Sequence, residues 1–141
     1  MNGQDFLDVA KNLSRSQFEA SLRSAISRAY YALLNCAIQL LLELGFTVDQ
    51  GPGAHGQTHR RLFNCGIEQA IEFARVLDEL RMQRNQADYN MKSAEFQNQT
   101  VCALRVAKAE IAIGLLAESN KEPLRSRIRA GIRDYERRIV S

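Results

Sequence analysis

Apolar residues recur at intervals of three and four along most of the chain, which is the spacing of amphipathic helices. This pattern predicts helices over residues 5–13, 16–44, 58–65, 67–90 and 94–117, and a further helix that begins after Pro123. The sequence contains no alternating strand pattern of useful length. We therefore predict an all-α fold, an up-and-down bundle of four to five helices followed by a basic C-terminal helix.

Residues 16–44 form the longest predicted helix and are expected to be the centre of the bundle. Ser16 and Glu19 fit a capping box, in which the two side chains satisfy free backbone N–H groups of the first helical turn. The glycine-rich residues 47–56 predict a loop after this helix. Ser93 is expected to cap the last core helix. The inward-facing residues of that last helix are predicted to be Val101, Leu104, Ala107, Ile111 and Leu115.

The net charge of +3 is concentrated at the C-terminus. Residues 121–141 contain seven basic and three acidic residues, a sum of +4, whereas the other 120 residues contain 12 basic and 13 acidic residues, a sum of −1. We therefore divide the chain into a helical bundle, residues 1–118, and an arginine-rich C-terminal helix, residues 119–141. This helix is either a solvated surface helix or a nucleic-acid-binding tail whose arginines neutralise phosphates. The arginines expected to contact phosphate in the second case are Arg125, Arg129 and Arg133.

Several classes of protein are disfavoured by the sequence. The three cysteines are far apart and odd in number, which predicts reduced thiols and neither a disulfide framework nor a zinc site. The glycine-rich loop lacks the GK[ST] sequence of a phosphate-binding loop, and no cofactor is predicted. The N-terminus has no apolar signal segment, and the longest apolar run, residues 36–42, is too short to span a bilayer. We therefore predict a cytoplasmic protein without membrane contact.

The densest group of polar side chains lies near the end of the fourth predicted helix, in the sequence LRMQRNQADYN. It contains Arg81, Arg84, Asn85, Asp88 and Tyr89. One interpretation is a solvated helix face on which Arg84 and Asp88 form an ion pair, contributing about 0.3–0.5 kcal/mol. The other is a binding surface, because arginine and asparagine side chains suit contacts with phosphates and base edges.

The chain has two histidines, His55 and His59. His59 is a candidate general base near neutral pH, although a histidine in such a position more often packs against its own helix. Two histidines four residues apart can bind a metal from one helix face. However, Gly53 and Gly56 disfavour a helix at His55 and no third ligand is near in sequence, so a metal site is not predicted.

Three blocks of the sequence together resemble the HEPN-domain superfamily, and more narrowly an uncharacterised branch of it. The blocks are SAISRAYYALLN at residues 24–35, Thr58-His59, and LRMQRNQADY at residues 80–89. The resemblance covers residues 5–117 and implies a helical bundle that is usually a homodimer. It also implies a place in a toxin–antitoxin or antiviral defence system, often with a partner nucleotidyltransferase, an antitoxin or another subunit of a defence complex.

Many HEPN proteins are metal-independent ribonucleases, and their signature is an arginine followed, after four to six residues, by a histidine. Arg84 matches this arginine, and Asn85 matches the polar residue that commonly follows it. No histidine lies after His59, so the standard ribonuclease mechanism is not expected here.

Three hypotheses remain open. In the first, the protein binds RNA or a nucleotide at a polar cleft, to which Arg28, Tyr31 and Asn35 contribute from the central helix. In the second, it is an inactive adaptor whose polar residues only hold the bundle or a dimer together. In the third, it is a ribonuclease with a divergent catalytic group. The catalytic candidates are then Arg84, with Asp88 or His59 in place of the usual histidine.

Overall fold

The structure, a computed structural model, describes residues 2–140 and is all-helical, which confirms the predicted fold class. A single 3-10 turn, Glu95–Gln97, precedes the fifth helix. Within the described residues there is no β-strand. The six α-helices are α1 Gly3–Leu13, α2 Glu19–Glu43, α3 Ala54–Phe63, α4 Glu68–Tyr89, α5 Gln99–Ser119 and α6 Leu124–Val140.

Helix α2 is the centre of the bundle, as its length predicts. It contacts α1, α3, α4 and α5, and its apolar stripe is fully buried at Leu22, Ile26 and Leu33. Phe73 from α4 and Phe96 from the loop before α5 are also fully buried in this core. These contacts make α2 the element against which the residues of a functional site are positioned.

The start of α2 differs from the predicted capping box. The helix begins at Glu19 with Phe18 at the N-cap, and no side chain caps its backbone there. Ser16 Oγ instead accepts a hydrogen bond from the Phe18 N–H at 3.0 Å, two residues on, so the serine stabilises the turn before the helix. A capping box is present instead at α1, where Asn2 and Asp5 exchange side-chain to backbone hydrogen bonds.

The connection between α4 and α5 is longer than predicted, and Ser93 does not cap α5. Asn98 caps it, because its side chain accepts a hydrogen bond from the Val101 N–H at 3.1 Å. The intervening residues turn so that Phe96 enters the core. Beyond this loop α5 runs antiparallel to α4, since Lys108 pairs with Glu79 whereas the earlier α5 residues lie beside the last turns of α4.

Arg23, on the first turns of α2, holds this connection in place. Its guanidinium donates to the backbone carbonyls of Ala87 at 2.8 Å, Asn90 at 2.9 Å and Ser93 at 3.1 Å. It also lies 4.7 Å from the centre of the Phe96 ring. Arg23 is only 7% exposed and satisfies carbonyls at the end of α4 that have no partner inside the helix. It therefore fixes the last turn of α4 against α2.

The predicted inward face of α5 is wrong. Leu104 is 65% exposed, Ile111 is 67% exposed, and Ala107 is exposed with them. The helix carries two apolar stripes, and the one with smaller side chains is buried, since small residues allow α5 to approach α2 and α4 closely. The buried residues are Cys102, Val106, Ala109, Ala112 and Leu116.

The arginine-rich helix α6 packs on the bundle through α3 and α5. Ile128 and Ile132 are fully buried in the same core as α2, whereas Ile139 near the end of the helix is exposed. Gly131 faces the backbone of Cys65 so closely that an added Cβ would lie 1.9 Å from the carbonyl oxygen. Helix α6 can therefore pack this closely against the backbone of Cys65 only because residue 131 is a glycine.

Adding a methyl group at Gly131 should loosen α6. For Gly131→Ala we expect a loss of about 1–3 kcal/mol in the free energy of unfolding, because the backbone of Cys65 has to move. Gly51→Ala is the control, since a Cβ there meets no atom within 4 Å. That change should stabilise the protein by about 0.4–1 kcal/mol. Urea unfolding measures both, and equal effects would contradict the close approach.

Helix α2 is the one described helix whose length and composition would suffice to cross a membrane. Half of its most apolar 18-residue window is buried inside the bundle, as is common for the central helix of a soluble protein. The sequence analysis predicted that no segment is long enough to span a bilayer because it considered only unbroken apolar runs. That criterion is too strict, since α2 is long and apolar enough over an 18-residue window. Nothing else among residues 2–140 meets the same test.

Candidate functional site

The polar residues at the end of α4 face α2, where Arg84 makes the central contacts. Its Nη2 donates to the Tyr31 hydroxyl at 2.9 Å, and its Nη1 donates to Asn85 Oδ1 at 3.1 Å. Its Nε lies 3.0 Å from Asp88 Oδ2 in an ion pair. The Arg84 and Asp88 side chains are 22% and 28% exposed, so the pair lies in the wall of the bundle and remains accessible to solvent.

Three tyrosine rings surround the Arg84 guanidinium. Its carbon lies 5.4 Å from the ring centre of Tyr31, 5.7 Å from that of Tyr89 and 5.9 Å from that of Tyr30. Cations within about 6 Å of an aromatic centre are attracted by the ring. All three guanidinium nitrogens thus have a contact, and of the five N–H groups one on each Nη is left for a ligand.

Asp88 is held on both sides. Besides Arg84, it accepts a hydrogen bond from the Ser27 hydroxyl of α2 at 3.3 Å. Tyr89, the next residue, is 73% exposed and forms an aromatic surface beside the pair. The structure thus brings together five of the predicted residues at the contact between α2 and α4: Arg84, Asn85, Asp88, Tyr89 and Tyr31.

Sequence reasoning missed His55 and Tyr30, which extend this cluster toward α3. Helix α3 begins at Ala54, four residues earlier than predicted, so His55 lies inside it despite its flanking glycines. The His55 Nδ1 and the Tyr30 hydroxyl are 2.9 Å apart in a buried hydrogen bond. His55 Nε2 lies 3.5 Å from Asp78 Oδ1 and has no hydrogen-bond partner within residues 2–140. Helical spacing could have predicted the burial of Tyr30, because it lies four residues after Ile26 and three before Leu33 in the apolar stripe of α2.

His59 does not contact the arginine cluster. Its ring stacks on Phe63 at 5.3 Å and lies 6.1 Å from the His55 ring, which is the packing role considered for it from the sequence. The two histidines do share a helix face, contrary to expectation. Within the described part of the chain, however, no group of three or more histidine, cysteine, aspartate or glutamate residues is placed to hold a metal ion.

Burial lowers the pKa of His55 below its ordinary value, and the nearby Arg81 guanidinium lowers it further, against a smaller opposing effect of Asp78. Burial raises the pKa of its partner Tyr30. Both groups are therefore neutral near pH 7, and their hydrogen bond joins two neutral side chains. Either ring nitrogen of His55 can carry the proton, so the donor in this bond depends on the tautomer.

The lowered pKa of His55 predicts a loss of stability in mild acid. Below about pH 6.5 the unfolded chain binds a proton that the folded protein resists, so folding free energy is lost as the pH falls. The slope contributed by His55 is at most about 1.4 kcal/mol per pH unit. Urea unfolding between about pH 8 and pH 5 should show this slope in the wild type and in His59→Gln. It should disappear in His55→Gln, and its persistence there would contradict the assignment.

Two further arginines flank the cluster without an ion pair or hydrogen bond in the described chain. Arg28 on α2 is exposed and lies 5.9 Å from the centre of the Phe6 ring. Arg81 on α4 is exposed beside His55. Asn35, which was also expected to face the cluster, donates instead to the Tyr31 carbonyl of its own helix at 2.7 Å. The site therefore has one internally paired arginine, Arg84, between two that are free to meet an anion.

Two of the three tail arginines have structural contacts. Arg125 donates to the carbonyl of Glu43 at 3.0 Å and also bonds to Asn120, and Arg129 donates to the carbonyl of Leu44 at 3.2 Å. These carbonyls end α2, where a cation also complements the helix dipole. Arg133 is exposed beside Phe46. The basic helix thus caps the central helix with two of the residues that were expected to meet nucleic acid.

No family model matches the chain, and comparisons with curated proteins and with solved structures likewise find no match. The likeness to HEPN domains consequently rests on the sequence blocks alone. In the structure these blocks lie side by side, since residues 24–35 belong to α2 and residues 80–89 to α4.

Proposed function

We propose that this protein binds single-stranded RNA at the cluster of Arg28, Arg81 and Arg84. The observation that carries the proposal is the pairing state of these arginines. Arg84 is held rigidly by Asp88 and Tyr31, whereas Arg28 and Arg81 have no acidic partner in the described chain. Unpaired arginines release counterions when they neutralise phosphates, which favours binding of a nucleic-acid backbone.

The aromatic groups at the cluster support RNA over a simple anion. Tyr89 is exposed beside Arg84, and single-stranded nucleic acids are commonly held by bases stacked on aromatic rings next to basic residues. Asn85 is exposed one residue after Arg84 and supplies hydrogen-bonding groups for base edges. With the resemblance to HEPN domains, this favours a place in a prokaryotic defence or toxin–antitoxin system, with a partner protein from the same system.

Binding without cleavage is the form of this function that the geometry favours. His59 stacks on Phe63, away from the arginine contacts, and Asp88 is bonded to both Arg84 and Ser27. His55 is buried and bonded to Tyr30. General acid–base catalysis needs a group within hydrogen-bond reach of the reacting hydroxyl. We therefore expect purified protein to leave single-stranded RNA intact; cleavage lost in Arg84→Ala would favour the ribonuclease alternative.

The proposal is tested by removing the same charge from two places. Neutralising Arg28 and Arg81 together as glutamines should weaken binding of a labelled single-stranded RNA by at least about tenfold at low salt. The matched control neutralises Arg127 and Arg133 on α6, which are equally exposed, and should have a smaller effect. Fluorescence anisotropy measures both. A larger loss in the α6 variant would move the RNA site to the tail.

The exposed stripe of α5 favours a second function, assembly as a homodimer. Leu104, Ala107, Ile111 and Gly114 repeat at intervals of three and four, the spacing of a helix–helix seam. Consider two copies whose α5 helices run antiparallel, with the two-fold axis crossing the seam at the level of residue 109. Each Leu104 then faces Gly114 of the other copy, and each Ile111 faces Ala107. Large side chains then meet small ones, which allows close packing of the two helices.

Charged substitutions on this stripe should therefore abolish the dimer. We expect the double variant Leu104→Glu and Ile111→Glu to sediment as a monomer at concentrations where the wild type is a dimer, because the seam would bury uncompensated charge. Ile139→Glu, which changes an equally exposed residue of α6, is the control. A monomeric wild type would exclude this assembly, and a dimeric double variant would place the interface elsewhere.

A further inference from the structure

A groove of about 470 Å³ continues from the arginine cluster along α2. One wall is the α2 face that carries Tyr31, Leu34 and Ile38, and the other is the loop that includes Val48 and Gln50. Tyr31 belongs to both features, because its ring lines the groove while its hydroxyl accepts the hydrogen bond from Arg84. From Tyr31 to Leu42 the groove follows about 16 Å of helix.

We propose that this groove receives the base of a nucleotide whose phosphate is bound by Arg84 and its neighbours. This inference rests on the RNA-binding function proposed above and names the part of the ligand that the groove recognises. The ligand class is a pyrimidine or purine nucleotide, either free or as a unit of single-stranded RNA.

Charge and polarity both change along the site in the order that a nucleotide requires. The Tyr31 end is basic, with Arg84 bonded to Tyr31, and with Arg28 one turn earlier on α2. The middle is aliphatic, with Leu34 and Ile38 half-buried, and offers flat apolar surface to a base. A phosphate at the first position and a base at the second complement these two regions.

Hydrogen-bonding groups lie at the edges of the aliphatic region. Asn35 lines the groove and uses its amide nitrogen to donate to the Tyr31 carbonyl, which leaves its side-chain oxygen available as an acceptor. Gln50 is exposed on the opposite wall. Asp49, also in that wall, accepts a hydrogen bond from the Gln57 side-chain amide at 2.8 Å, so this end of the groove, away from Arg84, carries a negative charge. Pockets for small ligands typically combine apolar walls with a few polar groups of this kind.

A comparison of ligands separates the base from the phosphates. We use a uridine oligonucleotide and an abasic oligonucleotide with the same number of phosphates. The wild type should bind the uridine strand at least about fivefold more tightly, because a base placed against Leu34 and Ile38 removes apolar surface from water. Equal affinities would overturn the groove assignment and leave the phosphate cluster intact. Failure of both strands to bind would overturn the RNA-binding function itself.

A protein variant locates the effect. Ile38→Asn removes an aliphatic wall without changing charge and should lower the preference for the uridine strand at least about twofold, with stacking on Tyr89 retained, while affinity for the abasic strand stays within about twofold. Ile139→Asn, the same substitution on exposed α6, is the control and should keep the wild-type preference. A preference equal to that of the wild type in folded Ile38→Asn would overturn the groove assignment. If that variant fails to fold, Tyr89→Ala decides, since loss of the whole preference there would place the base on Tyr89 and overturn the groove assignment.

A third arm distinguishes a free nucleotide from a strand. Uridine monophosphate is titrated against the wild type in competition with the labelled uridine strand. Displacement at concentrations close to those of the unlabelled strand assigns the groove to a free nucleotide. Displacement that needs at least about a hundredfold more assigns it to a unit of RNA, since a strand adds phosphate contacts at Arg28 and Arg81.

Discussion

Replacing Arg23 with methionine should lower the free energy of unfolding by about 3 kcal/mol or more. Methionine retains the apolar stem of the side chain as far as about the Nε position, so the loss reports on the guanidinium. Without it, the buried carbonyl of Ala87 loses its donor, the partly buried carbonyls of Asn90 and Ser93 lose the same donor, and Glu19 loses its ion pair. Buried carbonyls without a partner carry their full desolvation cost.

The matched control for this change is Arg28→Met on the same helix. Arg28 is exposed and makes one aromatic contact, so its replacement should change stability by no more than about 0.5 kcal/mol. Urea unfolding followed by circular dichroism measures both. A loss below about 1 kcal/mol for Arg23→Met would show that water replaces the guanidinium at these carbonyls.

The second large effect is expected at Arg84. Arg84→Ala should weaken binding of single-stranded RNA by about 10- to 100-fold, since a hydrogen bond to a charged group contributes about 1.5–3 kcal/mol. Two causes combine, because the substitution removes a phosphate-binding group and leaves Asp88 as an unpaired negative charge beside the ligand. The companion change Asp88→Asn should have the opposite sign and strengthen binding.

The pair of substitutions distinguishes RNA binding from a purely structural role. If the cluster only holds α2 and α4 together, Arg84→Ala and Asp88→Asn should both lower stability and neither should change affinity for RNA in the folded state. Anisotropy titrations at matched folded fractions make this comparison. Arg15→Ala, an exposed arginine between α1 and α2, is expected to leave binding unchanged.

The helices of this protein could be predicted from the sequence because their apolar spacing persists over many turns. The stripe of α2 is an example, since Leu22, Ile26, Ala29, Leu33 and Ala37 follow one another at spacings of three and four and are all buried. The face of α5 could not be predicted in the same way. That helix has apolar residues on both sides, and the choice between them depends on how closely α2 and α4 can approach, which periodicity does not encode.

Helix ends were the weakest part of the prediction for a related reason. Ser16, Ser93 and Asn98 are all good capping residues in isolation. Asn98 is used because Phe96 enters the core two residues earlier and Arg23 fixes the preceding turn. These are contacts between residues about 70 apart, so a local capping rule cannot choose among the candidates.

The candidate site was predictable only in part. The spacing of Arg84 and Asp88 predicts their ion pair, and the structure shows it at 3.0 Å. Tyr31 was expected to face them, and its hydroxyl does so. His55 was set aside because glycines flank it, yet the helix begins before it and buries it against Tyr30. Helix propensity was overridden there by tertiary packing.

The salt dependence of RNA binding tests the central claim most directly. The logarithm of the binding constant falls with the logarithm of salt concentration by about 0.7 per phosphate neutralised on a single strand. Neutralising Arg28 and Arg81 as glutamines should therefore reduce the slope by about 1.4, measured by anisotropy between about 50 and 200 mM salt. An unchanged slope would show that RNA phosphates do not lie at this cluster.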